Sequence, residues 1–153
     1  MKVGFIGLGN VGAKLAGSIL RNGFDLTVRD LDSSATEEFS RLGAQVAPSP
    51  KALAEHCDVI ITCLPSPAVS ASVMEEENGV LAGLSEGKIW IEMSTTDEQE
   101  VIRIAENVHQ KGAFTADCPV SGGCHRAATG NIAIFAGCDR IVFDNIFPLL
   151  SAM

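Results

Sequence analysis

The chain has 153 residues, 46% of them hydrophobic and 5% aromatic, with a formal net charge of −8. That length suits a single domain with a real core, and the aliphatic-rich mix suits an Ala/Val/Ile/Leu-packed α/β fold. The acidic balance argues against nonspecific nucleic-acid binding, which needs a basic face, and no apolar run approaches the roughly 20 residues of a membrane span.

The first element is a short apolar run, Val3 to Ile6, which reads as a buried strand. Glycines follow at 7, 9 and 12, and Ala13 to Leu20 reads as a helix. This is G-x-G-x-x-G in the context that gives the motif meaning: strand, tight turn, helix. Gly7 permits the sharp turn, Gly9 lets backbone approach a pyrophosphate, and Gly12 lets the helix pack on the strand. The positive end of that helix favours phosphate charge.

A second strand, Asp25 to Arg29, ends at Asp30, about 20 residues past the glycine turn, where a ribose-binding acid belongs. A carboxylate there accepts hydrogen bonds from the adenosine ribose and repels the extra phosphate of NADP. The expected cofactor is therefore NAD rather than NADP. Two alternatives stay open: Asp30 as a simple turn and cap residue beside Asp32 and Ser33, and Arg29 curling toward the ribose 2′ position.

Strand and helix signals then alternate, which implies βαβ units and a parallel sheet. A helix starts at Ser33 and ends near Leu42-Gly43, and Gln45-Val46 is a short strand. Ser49-Pro50 opens a small helix through Glu55. Asp58 to Leu64 lacks polar alternation, as expected for a strand buried on both faces, and Pro65 and Pro67 break it. Val69 to Glu75 reads as helix, with Glu75-Glu76-Glu77 as its solvated end. Lys88 to Glu92 is the next strand, and Thr95-Thr96-Asp97 caps a helix with apolar positions 101, 102, 104, 105 and 108. Ala113 to Asp117 and Ile132 to Ala136 are late strands. A last helix, about Arg140 to Leu150, carries an apolar face of Ile141, Val142, Ile146, Leu149 and Leu150, expected as an exposed seam. Met74 and Trp90 are assigned to the core. The fold class is α/β: a Rossmann-type, doubly wound, mostly parallel sheet with helices on both faces.

Ligands of such sheets bind beyond the carboxyl ends of the strands. Besides the glycine turn, three segments sit there: Thr62 to Ser66, Glu92 to Thr96, and Asp117 to Gly123. In the last, Pro119-Val120-Ser121-Gly122-Gly123 offers a hydroxyl and exposed amides suited to a small carboxylate, or else an ordinary turn. Cys124 and His125, in the same Gly-containing loop, lack an activating partner and read as surface residues. The five cysteines form no C-x-x-C pair and the three histidines lie apart, so no metal is expected. Unpatterned cysteines fit reduced thiols and the cytoplasm, or the mitochondrial matrix for a processed chain. Met1-Lys2 leads straight into the first strand, so no signal peptide is expected.

Together these motifs resemble the β-hydroxyacid dehydrogenase family, of the 3-hydroxyisobutyrate and 6-phosphogluconate dehydrogenase type. The resemblance rests on Gly4 to Gly12, which is similar to GFIGLGxMG with Val11 for Met; on Cys63-Leu64-Pro65; on Ser94-Thr95; and on Asp117 to Gly123 with Ala127, Ala128 and Gly130, similar to DxPVSGGxxxAxxG. It implies that Gly7, Leu8, Gly9, Asn10, Val11, Gly12, Asp30, Leu64, Pro65, Val69 and Thr95 touch NAD. It further implies that Ser121, Gly122 and Gly123 hold a small hydroxyacid substrate. The family's general acid/base is a lysine in a G-x-x-x-K-x-x-N helix beyond residue 153, followed by a helical domain that closes the cleft and forms the dimer. Residues 1–153 are thus expected to be the N-terminal dinucleotide-binding domain, with no catalytic residue of its own and little turnover alone. The alternatives are a non-catalytic NAD-binding or interaction module and a decarboxylating enzyme of the 6-phosphogluconate type. His125-Arg126, where small residues are common, leaves the substrate class open.

Overall fold

A computed structural model describes all 153 residues. In chain order the elements are β1 (Lys2–Ile6), α1 (Gly12–Arg21), β2 (Asp25–Arg29), α2 (Ser33–Arg41), β3 (Gln45–Val46), α3 (Pro50–His56), β4 (Val59–Thr62) and α4 (Pro67–Glu75). They continue with α5 (Val80–Gly83), β5 (Ile89–Glu92), α6 (Glu98–Gln110), β6 (Phe114–Asp117), β7 (Val120–Ser121), α7 (Gly123–Ala128), β8 (Ala133–Ile134) and α8 (Arg140–Leu150). Six strands form one parallel sheet in the order β3-β2-β1-β4-β5-β6. The chain starts in the middle, winds outward to β3, then crosses back over β1 to build β4, β5 and β6. That is the doubly wound arrangement, with its switch point between β1 and β4.

Apolar residues alternate between the two faces of the central strands, so each strand reads as an unbroken apolar run. Phe5, Ile61 and Ile91 pack with Leu15 and Ile19 of α1, Phe39 of α2 and Ile146 of α8 on one face. Ile60 and Trp90 pack with Leu53 of α3, Met74 of α4 and Ile104 of α6 on the other. Met74 and Trp90 are thus core residues, and the Trp90 indole N–H donates to Thr62 Oγ1 at 2.8 Å. Local chemistry starts most helices: Asp32, Ser49, Ser66 and Asp97 each accept a backbone N–H of the first turn.

Several expectations change. Pro67 does not merely end the preceding strand; it sits at the first position of α4, where its missing N–H costs nothing. The four-residue α5 was not expected, because four residues show no helical period. The strand at 132–136 shrinks to Ala133–Ile134 and leaves the main sheet, pairing antiparallel with Val120–Ser121. Residues 123–128 form a short helix rather than a loop. Glu75 is not a freely solvated helix end: Arg103 of α6 grips both of its carboxylate oxygens, at 2.7 and 2.6 Å, which holds its carboxyl below the usual range. On α6, Ile102 lies outside the buried stripe at 47% exposure.

The apolar face of α8 is the largest correction. Val142, Ile146, Leu149 and Leu150 fall on one helical stripe and are buried in this domain's own core, not left as a seam. Of the five, only Ile141, one residue off that stripe, is exposed. The C-terminal end of α1 ties this region down. Arg21 donates to Ala128 O at 3.0 Å, and the Asn22 side chain donates to Ala152 O at 3.1 Å.

Candidate cofactor site

A cleft of about 1130 Å³ opens over the carboxyl ends of β1, β2, β4 and β5, at the switch point. Its floor is the glycine turn. Gly7 has φ +99, and a Cβ there would lie 2.2 Å from Cys63 O at the end of β4. A Cβ on Gly12 would lie 2.0 Å from Gly7 O, so the helix start and the turn touch through bare backbone. Gly9 is different: a Cβ there would meet nothing within 4 Å. It faces open cleft, where any side chain would occupy the space a phosphate needs. No side chain caps the N-terminus of α1, so its first amides are not claimed by a side-chain acceptor.

Asp30 is fixed beside this turn. Its Oδ2 accepts the Leu8 N–H at 2.5 Å and its Oδ1 accepts the Asp32 N–H at 2.9 Å. Two amides use two of roughly four lone-pair directions and leave acceptor capacity toward the cleft. Leu8 therefore acts through its backbone; its side chain is buried in the core and does not line the cleft. Arg29 does line the cleft, and its Nε is shielded from solvent with no partner.

The opposite wall comes from the β4–α4 segment, with Leu64, Pro65 and Val69 on the lining, and Thr95 follows β5. Ser94 joins these two segments: its Oγ accepts the Leu64 N–H at 2.7 Å and donates to Glu92 Oε1. Glu92 is buried at 1% exposure, and this burial raises its pKa above the usual carboxylate range against the opposing effect of its Ser94 hydrogen bonds. The Cys63 thiol is pushed up to about 11 by burial and by the charge of Glu92.

Of the residues singled out in the sequence, the cleft lining gathers Gly7, Gly9, Asn10, Val11, Gly12, Asp30, Leu64, Pro65, Val69, Thr95 and Gly123. Ser121 and Gly122 lie just outside it, both exposed. Gly122 has φ +132, and its absent Cβ makes room for the Arg126 stem, whose Cδ would sit 2.8 Å away. Cys124, His125 and Arg126 are exposed on α7. Sequence reading missed the far end of the cleft, formed by Pro48, Ser49 and Pro50 facing Ser72, Glu76 and Asn78. The Asn78-Gly79 dipeptide, a turn signal, was the available pointer there.

A glycine turn feeding a helix at the switch point, with an acid clamped beside it, defines a dinucleotide-binding α/β domain. The chain belongs to the family described as the NAD binding domain of 6-phosphogluconate dehydrogenase, whose model it matches over residues 2–153. It is 40% identical over 151 residues to the mitochondrial 3-hydroxyisobutyrate dehydrogenase of Rattus norvegicus, covering 99% of this chain and 45% of that protein. It is 35% identical to glyoxylate/succinic semialdehyde reductase 1 of Arabidopsis thaliana, covering 100% of this chain and 53% of that one. The solved 3-hydroxyisobutyrate dehydrogenase of Mycobacterium tuberculosis with L-serine superposes with a TM-score of 0.93 at 27% identity, over 99% of this chain and 51% of that structure. The chain spans about half the length of the curated relatives it matches. No helix is long and apolar enough to cross a membrane.

Proposed function

We propose that this chain is the cofactor half of an NAD-dependent 3-hydroxyacid dehydrogenase of the 3-hydroxyisobutyrate type. The observation that carries the reading is the open backbone at Gly9 beside the Asp30 clamp. The amides from Gly9 to Gly12 hold the pyrophosphate, Asp30 takes the adenosine ribose hydroxyls, and Leu64, Pro65, Val69 and Thr95 line the remaining wall. The bound nicotinamide supplies the hydride acceptor for the hydroxyl-bearing carbon. The Ser121 hydroxyl and the amides of Gly122 and Gly123 hold the substrate carboxylate near Val120 and Ile132.

Three titratable side chains of the cleft are each engaged or held neutral. Asp30 is clamped by amides, Glu76 is bonded by the Ser72 hydroxyl, and the Cys63 thiol stays neutral with its pKa near 11. The family resemblance assigns proton transfer to a lysine of a second, helical domain, which would also close the cleft and pair the subunits as a homo-oligomer. Residues 1–153 bind NAD and turn over little alone. Five free cysteines support a reducing compartment, the cytoplasm in the simplest case.

A second reading is a dinucleotide-binding module without catalysis, which the same cofactor cleft would also serve. A calorimetric titration with NADH and then NADPH tests the shared part: saturable NADH binding with weaker NADPH binding is expected, and no binding to either overturns both readings. Oxidation of 3-hydroxyacids by the enzyme containing both halves separates the dehydrogenase from the module. Turnover of 6-phosphogluconate instead would move the assignment to the decarboxylating branch.

A further inference from the structure

The strand order divides the cleft into two halves. Asp30, at the end of β2, takes the adenosine ribose on one side of the glycine turn. The rest of a dinucleotide must then cross the switch point toward the ends of β4 and β5. The two segments that meet it there, after β4 and after β5, have different origins and no β-ladder between them beyond Thr62 and Glu92. What joins them is a short chain of hydrogen bonds rooted in one buried acid.

Glu92 stands in register between Thr62 of β4 and Asp117 of β6, so its side chain enters the interior. Its Oε1 accepts both the N–H of Ser94, at 2.8 Å, and the Ser94 hydroxyl. A hydroxyl has one proton to give. Because that proton goes to Glu92, the Ser94 oxygen presents lone pairs to its other neighbour, the Leu64 N–H at 2.7 Å. The acid thus sets the polarity of the link, and the link sets the position of Leu64 against Thr95. Oε2 is buried with no hydrogen bond of its own, and the hydroxyls of Thr62 and Ser70 face the same carboxyl group. An acid with no cation beside it is costly to bury, and the hydrogen bonds it makes are those to Ser94.

We propose that Glu92 is a positioning residue for the nicotinamide half of the cofactor: through Ser94 it locks Leu64 and Thr95 into the binding shape, without touching the cofactor. This rests on the cofactor reading above. It predicts an effect confined to one half of the ligand, which a general packing role would not give.

The test compares NADH with ADP-ribose, which carries the pyrophosphate and both ribose rings but lacks the nicotinamide, in calorimetric titrations of the 153-residue chain. Glu92→Ala and Ser94→Ala are each expected to weaken NADH about tenfold, one hydrogen-bond link's worth, while ADP-ribose affinity changes by less than about twofold. Glu92→Gln keeps the acceptor and the volume, and turns an amide toward the Thr62 and Ser70 oxygens. It is expected to restore NADH to within about threefold of the parent. Ser94→Ala removes one oxygen and keeps the test alive if Glu92→Ala does not fold. Equal weakening of both ligands, or no weakening of either, overturns the positioning role while leaving the cofactor site standing. Failure of the parent chain to bind either ligand overturns the cofactor reading and this inference together.

Discussion

The glycine turn and the Ser121–Gly123 segment are both candidate binding loops at strand ends, yet they are built in opposite ways. The first is held from every side. Gly7 N donates to Arg29 O at 3.1 Å, Leu8 N donates to Asp30, and the missing Cβ atoms of Gly7 and Gly12 are replaced by backbone of β4 and of the turn itself. The second hangs from a two-residue ladder off the main sheet, with its glycines and the next three side chains exposed. Geometry fixed before a ligand arrives lowers the cost of binding it, whereas exposed backbone must be ordered on binding. The glycine turn is therefore preformed in this chain, and the Ser121–Gly123 segment is left open.

Breaking the rigid loop has the largest expected effect. Gly7→Ala places a methyl 2.2 Å from Cys63 O at φ +99, and both the clash and the conformation are unfavourable. We expect NADH affinity to fall by more than about a hundredfold, with a lower Tm, since the turn must move off β4. Asp30→Ala comes next. It frees the Leu8 and Asp32 amides and removes the proposed ribose acceptor, so calorimetry is expected to show about tenfold to hundredfold weaker NADH and a smaller preference over NADPH.

The exposed loop gives the contrasting result. Ser121→Ala is expected to leave NADH binding by this chain within about twofold. In the proposed enzyme containing both halves, KM for the hydroxyacid is expected to rise about tenfold, the loss of one hydrogen bond to a charged group. A Ser121→Ala variant that weakened NADH as much as Asp30→Ala would erase the distinction between the two loops.

A smaller effect comes from pH. Burial raises the Glu92 pKa above its ordinary 4.5, so the folded chain holds that proton more tightly than the unfolded chain. Its stabilising contribution is full below pH 4.5 and is lost as pH rises through the folded value. Glu75, lowered by Arg103, works in the opposite sense and loses its contribution as pH falls. Thermal melts from pH 4 to 8 are expected to show Glu92→Gln gaining on the parent as pH rises; a constant difference would refute this. The smallest change is Ile141→Ser, at a side chain 69% exposed, with a shift within about 0.5 kcal/mol.

The central strands and the glycine turn were legible in the sequence because their signals are local. Asp58 to Leu64 has no polar alternation, and Gly7, Gly9 and Gly12 sit between a strand and a helix within a dozen residues. The role of α8 was not legible. Its apolar stripe is the same whether it faces a partner or its own sheet, and only the packing of Ile146 with Ile91 and Leu15 decides. Likewise 132–136 carries a strand's composition, but pairing with Val120–Ser121 was set by a chain reversal through α7. At the site, Glu92 was visible as the end of a strand, while its bond to Ser94 and the bond of Ser94 to Leu64, 30 residues from Ser94 in sequence, were not.

The side chain of Asn22 reaches both Ser18 O, one turn back, and Ala152 O, 130 residues later. Ala152 and Met153 are buried where α1 ends. The helix that follows the glycine turn is thus made well before the residues that complete its packing, 130 positions later in sequence. During synthesis, the face of α1 bearing Leu15 and Ile19 stays uncovered by α8 until nearly the whole domain has left the ribosome. Contacts of such long sequence separation also slow folding. The packing behind the glycine turn is therefore completed late, when α8 and residues 152–153 fold back onto α1.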